Sequence, residues 1–490
     1  MYSRSFMTVI VVLFCINLSA QVQFVEHEID TNTHGVGGIY CCDVDSDGDM
    51  DVLAASLEDN QILWFRNDGG NPISWEKIIV GLGVGSAHSV YAADIDGDQD
   101  LDIVGAAYVG TLGIAWWRND GGDPVVWTKF TVANAFVNAH EVYCKDVDQD
   151  GRMDVLGASS DLNTIAWWHN NGGDPITWTQ QTLGNNITLA KSVTAEDIDS
   201  DGDVDILGVS IIDNDIIWWR NDGGDPITWT QILIDNNFNG AHRIQTIDLD
   251  KDGDFDVVGA GYLGHQIAWW RNDGGNPVVW TRQIIGSGFV NACVAFAVDL
   301  DNDEDIDVIG TGQGLNQIAW WRNDGGEPIT WTKNIVQNDF RRPWPLYSCD
   351  IDGDGDNDII SGSSHNGSNI ISWWETSITT DVEDIQTQPV GFELKQNYPN
   401  PFNPSTAIQY AIPAAEALSS ASGWMPMAEA QVSLKIYDIL GRYITTLVNE
   451  SQPAGTYNVT FEAGDLPTGI YYYCLQVDSF TQTNKMLLLK

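Results

Sequence analysis

The chain has 490 residues, a formal net charge of −47, 43% hydrophobic residues and 21 tryptophans. Its length allows two or more domains with full cores. The acidity excludes nucleic acid as a partner and disfavours anionic membranes, since phosphate binding needs a basic face, while the hydrophobic fraction argues against a disordered acidic tract.

Residues 1–20 read as a signal peptide. Arg4 supplies a positive start, residues 6–18 an apolar stretch, and Ser19-Ala20 a small-residue cleavage point. The apolar stretch is too short for a membrane anchor, which needs about 20 residues. No other long apolar run occurs, so the expectation is an exported, soluble mature chain with no transmembrane segment.

From residue 21 to 376 one unit recurs with a period of 51 or 52 residues. Such a period calls for a solenoid, propeller or array. Each unit opens on a short apolar strand and an aspartate loop. The loops begin at Asp43, Asp94, Asp146, Asp197, Asp248, Asp299 and Asp350. Their third positions are Asp45, Asp96, Asp148, Asp199, Asp250, Asp301 and Asp352. The fifth are Asp47, Asp98, Asp150, Asp201, Asp252, Asp303 and Asp354. The ninth are Asp51, Asp102, Asp154, Asp205, Asp256, Asp307 and Asp358. A second strand follows, then a third carrying an aromatic pair such as Trp116-Trp117. The turn Arg118-Asn119-Asp120-Gly121-Gly122-Asp123-Pro124 leads to a fourth. Glycine and proline there suit a reversal between antiparallel strands.

Four short strands per unit predict propeller blades. The expected fold is all-β: a seven-bladed β-propeller over residues 21–376. The seventh unit lacks its fourth strand, and an orphan copy stands at residues 24–29, placed to complete the last blade and leave no open edge. Nineteen of the tryptophans fall at three repeated positions, which favours blade-to-blade packing over a sugar platform. Trp344 and Trp424 lie off the pattern. Cys41, Cys42, Cys144 and Cys349 lie just before loops and read as small buried residues, with a disulfide or metal role as the alternative.

Side chains at loop positions 1, 3, 5 and 9 can converge on one cation. Hard oxygen donors in that number suit Ca²⁺, up to seven ions in a structural role. Without metal, carboxylates about 4 Å apart repel by roughly 1 kcal/mol in water and roughly 4 kcal/mol near a protein surface. Arg152 replaces an acid at position 7 of the third loop. Position 6 must turn sharply and is glycine in five loops; Gln99 and Glu304 fill it in the other two, which are expected to bind less tightly.

Past residue 376 the repeat stops. Residues 377–390 read as a polar linker. Residues 391–490 read as a separate β domain, a small Ig-like β-sandwich with alternating strands such as 432–437. Residues 414–429, with Trp424, look like an insertion in it.

Two resemblances follow. The aspartate loops and their flanking strands resemble FG-GAP/VCBS repeats of integrin-type propellers. That implies calcium held by loop positions 1, 3, 5 and 9, which all seven copies match. Asn397-Tyr398-Pro399-Asn400-Pro401-Phe402-Asn403-Pro404, Lys435-Ile436-Tyr437-Asp438-Ile439-Leu440-Gly441-Arg442 and Leu466-Pro467-Thr468-Gly469-Ile470-Tyr471 resemble a type A C-terminal sorting domain of the type IX secretion system. That implies the type IX machinery as partner, export across two membranes, removal of this domain, and release or cell-surface attachment.

A separate candidate ligand pocket lies six residues before each loop, at the opposite ends of the strands. His88, His140, Lys191, His242 and Trp344 fall there, beside Gly37 and Cys293. Trp344 could stack on a sugar, or the histidines could hold a transition metal; drifted residues in a wet channel are the plainer reading. No Gly-x-Ser-x-Gly, His-Glu-x-x-His or Cys-x-x-Cys appears, and no insertion interrupts the units. The expectation is a binding or adhesion module for a glycan or protein rather than an enzyme. The alternative is a polysaccharide lyase or hydrolase on a propeller scaffold.

Overall fold

The computed structural model describes residues 21–110, 112–364, 369–379, 392–412, 430–452, 455–464, 466–477 and 480–489. The expected signal peptide, most of the expected linker, and the insertion at 414–429 lie outside them. Among the described residues there are 35 strands and no helix. The chain divides into two compact units, residues 1–378 and 379–490.

The first unit is built of four-stranded antiparallel sheets, consistent with a β-propeller. The first complete sheet holds β2 (Val36–Cys42), β3 (Asp51–Ser56), β4 (Gln61–Asn67) and β5 (Trp75–Leu82) in sequence order. Five more sheets repeat it. Their first strands are β6 (Ala87–Ala93), β10 (Ala139–Lys145), β14 (Ala190–Glu196), β18 (Ala241–Ile247) and β22 (Ala292–Val298). A seventh runs β26 (Pro343–Cys349), β27 (Asp358–Ser363), β28 (Ile371–Thr379), and its outer strand is β1 (Gln21–Asp30) from the start of the chain. Phe24 on β1 lies edge-on to Trp320, with ring centroids 6.0 Å apart.

Local chemistry sets the pattern. In the turn before each fourth strand the asparagine side chain accepts the N–H of the first glycine, as Asn67 Oδ1 does from Gly69 at 2.9 Å. Gly69 and Gly70 then take φ of 66° and 95°, values that glycine adopts without steric cost.

The second strands are buried along their whole length, so both faces are packed. Cores form between sheets. The cluster around Trp64 joins Leu53 and Ile62 of one sheet to Val90, Ile103 and Trp117 of the next. Trp64, Trp218, Trp219, Trp269, Trp270 and Trp374 are fully buried, so the repeated pairs act as inter-sheet wedges. Gly81 makes room for one of them: a Cβ there would lie 2.5 Å from the Trp117 ring.

β2 neighbours both β6 and β26, and Cys41 on β2 is disulfide-bonded to Cys349 on β26, across 308 residues of sequence. Two of the cysteines expected to be small buried residues are thus a covalent link between the first and last repeats. Cys144 and Cys293 are free and buried.

The second unit has a three-stranded and a four-stranded sheet around one core containing Ile408, Tyr410, Leu434, Tyr473 and Leu488. Its motifs have structural reasons. The Asn397 amide donates to Pro399 O and Thr406 Oγ1, and its backbone N–H donates to the Tyr473 hydroxyl at 2.8 Å. Asp438 Oδ1 accepts the N–H groups of Leu440 and Arg442, closing a turn whose Gly441 has φ 76°.

Candidate functional site

Each aspartate loop is wired by its own backbone. The first aspartate caps the turn: Asp197 accepts the N–H groups of Asp201 at 3.1 Å and Gly202 at 2.9 Å, and Asp43 does the same for Asp47 and Gly48. The fifth-position carboxylates are exposed, and each accepts the N–H two residues on, as Asp201 does from Asp203 at 2.9 Å. The ninth aspartate opens the second strand and has no solvent exposure. Asp205 accepts Ile198 N–H at 3.1 Å and Asn221 N–H at 2.7 Å, which fixes the loop to the end of the third strand.

Position 6 takes positive φ in all seven loops. It is 98° at Gly48, 86° at Gly151 and 97° at Gly202, and also 79° at Gln99 and 72° at Glu304.

These contacts bring positions 1, 3 and 9 together. In the loops starting at Asp43, Asp94, Asp146 and Asp197, one carboxylate oxygen from each of the three lies within 4.8 Å of the others. Asp45, Asp148, Asp199, Asp250 and Asp301 each hold a buried Oδ1 with no hydrogen-bond partner. Burial, more than neighbouring charge, pushes the ninth-position carboxyls up, Asp205 to about 7 and Asp307 to about 8. Converging hard oxygens with unsatisfied lone pairs fit a hard cation, which would supply the opposite charge the cluster lacks.

In those four loops the expected ligands at positions 1, 3 and 9 form trios, while the position 5 carboxylates are exposed and accept the N–H two residues on. Sequence reasoning missed the companions of these loops on the third strand. Arg118 Nε lies 4.0 Å from Asp96 Oδ2. In the third repeat histidine takes the arginine's place: His169 Nδ1 lies 3.0 Å from Asp148 Oδ2 and forms a second cluster with Asp148 and Asp150. The break in the Trp-Trp-Arg-Asn pattern at His169 was the available signal.

At the other ends of the first strands, His88, His140, Lys191, His242 and Trp344 do come together. His88 and His140 ring centroids are 3.9 Å apart, and Trp344 lies 5.6 Å from His88 and 5.4 Å from His242. The histidines are structural pins. His88 Nδ1 bonds His140 O at 2.9 Å, His140 Nδ1 bonds Lys191 O at 3.0 Å, and His242 Nδ1 bonds Cys293 O at 2.9 Å. A carbonyl only accepts, so each Nδ1 carries the proton. Burial, then neighbouring positive charge, lowers His88 and His242 to about 3, and burial lowers Lys191 to about 8. The cavity among these side chains is about 20 Å³, room for one water and not for a sugar ring.

Comparison with known proteins then adds family. The FG-GAP-like repeat model matches residues 43–105, 146–208, 197–259, 248–309 and 299–361. The secretion system C-terminal sorting domain matches residues 396–489. No curated protein sequence matches the chain. Two solved structures of BBS1N in complex with ARL6DN, one soaked with lead and one with mercury, are 10% identical. They cover 74% and 73% of this chain and 99% and 98% of their own, with TM-scores of 0.49 and 0.48.

Proposed function

The chain belongs to the FG-GAP-like repeat family and ends in a secretion-system sorting domain, and from that premise we propose that it is a secreted or cell-surface binding module. In this reading the first unit is a seven-bladed propeller closed by β1 and held by up to seven calcium ions. The second is an Ig-like domain that engages the type IX machinery, and the signal peptide at 1–20 starts export.

One observation carries the calcium role: the unpartnered buried Oδ1 at position 3 recurs in five loops. The aspartates at positions 1, 3 and 9 would hold the ion, and its charge would neutralise theirs. The protein's own part is to aim them: the ninth aspartate is held by two backbone N–H groups and the first by two more. That saturation suits a pin, not a catalytic acid or base, which must be free to exchange a proton.

Calcium outside the cell reaches millimolar levels, enough to fill extracellular sites of about 10⁻⁴–10⁻³ M affinity. A glycan array probed in calcium, paired with a depolymerisation assay on polysaccharides, tests the function. Binding without chain cleavage is the expected result; cleavage would favour a lyase or hydrolase.

A further inference from the structure

The first strands carry a second register of side chains, three residues before each loop. Five are aromatic and run as one arc. Ring centroids are 5.0 Å apart from Phe296 to Tyr347, 5.0 Å from Tyr347 to Tyr40, 4.5 Å from Tyr40 to Tyr91 and 5.1 Å from Tyr91 to Tyr143. All five are only partly buried. The other two blades break the arc with Thr194 and Gln245. Thr194 Oγ1 lies 3.3 Å from Thr246 Oγ1. Gln245 Oε1 accepts Ala297 N–H at 2.7 Å, which leaves its amide NH₂ as a donor.

These residues line a cavity of about 210 Å³. Its floor is the ion pair between Arg243 and Glu141 at 3.0 Å, and Glu141 also accepts Val193 N–H at 3.0 Å. Behind the floor lies the packing of histidines around Trp344, where about 20 Å³ leaves room for a water and not for a sugar ring. The other end, beside the aspartate loops, carries Glu196 paired with Lys145 at 2.9 Å.

The cup therefore has one aromatic wall, one hydroxyl and amide wall, and charges that are already paired with each other. Paired charges disfavour an ionic ligand, which would have to break a pair to gain one. An aromatic wall facing polar groups suits a ring with an apolar face and a hydroxylated edge. The volume falls below the roughly 300–1,000 Å³ of sites for drug-sized ligands, which limits the guest to one ring. A blind floor admits the end of a chain and not its middle.

We propose that this cup binds the terminal neutral hexopyranose of a glycan, with the sugar face on the tyrosine arc and its hydroxyls towards Thr194, Gln245 and Arg243. The proposal rests on the binding-module reading and names the ligand class for it.

The test is calorimetric titration of the calcium-loaded chain with the methyl glycosides of glucose, galactose, mannose and N-acetylglucosamine, alongside the glycan array. At least one glycoside should bind at one site per chain and displace the array ligand. Tyr91→Ala should weaken that binding about tenfold or more by removing a stacking platform. Tyr91→Phe should retain most of it, and Gln245→Ala should weaken it with the calcium-dependent melting unchanged. If Tyr91→Ala fails to fold, competition on the unmodified chain decides. No glycoside binding at millimolar concentration overturns the cup, and so does binding that both substitutions leave intact. An array ligand that no glycoside displaces overturns the cup and leaves the binding module standing.

Discussion

Gln99 isolates the backbone cost of a single loop position. Position 6 has φ of 86° to 98° in the glycine loops and 79° at Gln99. A Cβ added at Gly48, Gly151, Gly202 or Gly253 would meet nothing within 4 Å. Glycine is therefore selected there by φ alone and not by space. A side chain in left-handed geometry costs roughly 1–2 kcal/mol. Replacing Gln99 with glycine removes that strain but adds roughly 0.4–1 kcal/mol of chain entropy to the unfolded state. Gln99→Gly should thus stabilise by about 0.5–1 kcal/mol net. If the loop is shaped the same with and without calcium, the gain appears as a melting temperature higher by about 1–2 °C, small because the unit is large. If the loop orders only around the ion, it appears as about two- to fivefold tighter calcium. Scanning calorimetry and calcium titration read the two. Gly202→Ala should move both in the opposite direction. A Gln99→Gly chain identical to the parent in both would refute the strain argument.

Three further outcomes are expected. Chelation with EDTA should lower the melting temperature by many degrees, since the carboxylate trios then repel without compensation; no shift would remove the structural cation role. Cys41→Ser with Cys349→Ser should lower resistance to guanidinium, with a ceiling of roughly 5–6 kcal/mol from chain entropy for so long a closed loop, and an unchanged unfolding curve would show that the link contributes nothing. Lys191→Met should stabilise the chain at pH 7. The folded ammonium titrates at about 8 instead of its ordinary 10.5, so the buried charge costs up to about 3 kcal/mol below pH 8. The unfolded state binds the extra proton between pH 8 and 10.5, so parent stability rises across that window and the variant's advantage disappears above it. Unfolding curves at pH 7 and 10.5 check this, and equal advantage at both pH values would contradict it.

The repeat was legible because its signals are local and periodic. Asparagine and glycine fix the turns, the aspartate register fixes the loops, and burial on both faces makes the second strand a continuous apolar run. Alternation put positions 1, 3 and 5 on one side of the loop, and in four loops the structure gathers positions 1, 3 and 9.

What escaped depends on contacts across repeats. The Cys41–Cys349 link joins the first and last units and appears only when β2 and β26 are neighbours. His169 matters because the end of the third strand lies over the loop, a packing fact that no spacing shows. The spacing from the loops sets the register of His88, His140 and His242, but register does not give room. The imidazoles lean onto neighbouring carbonyls and fill the space they were expected to frame. The tyrosine arc lies three residues nearer the loops, in the same register arithmetic, but tyrosine on a strand reads as ordinary core.

In the proposed reading the aspartate loops are calcium pins. Equilibrium dialysis of the purified chain against calcium, with bound metal measured per chain, tests it most directly. Up to seven ions per chain should bind, with the five glycine loops filling first and the Gln99 and Glu304 loops only at higher calcium. A chain that binds no calcium at millimolar concentration would contradict the account.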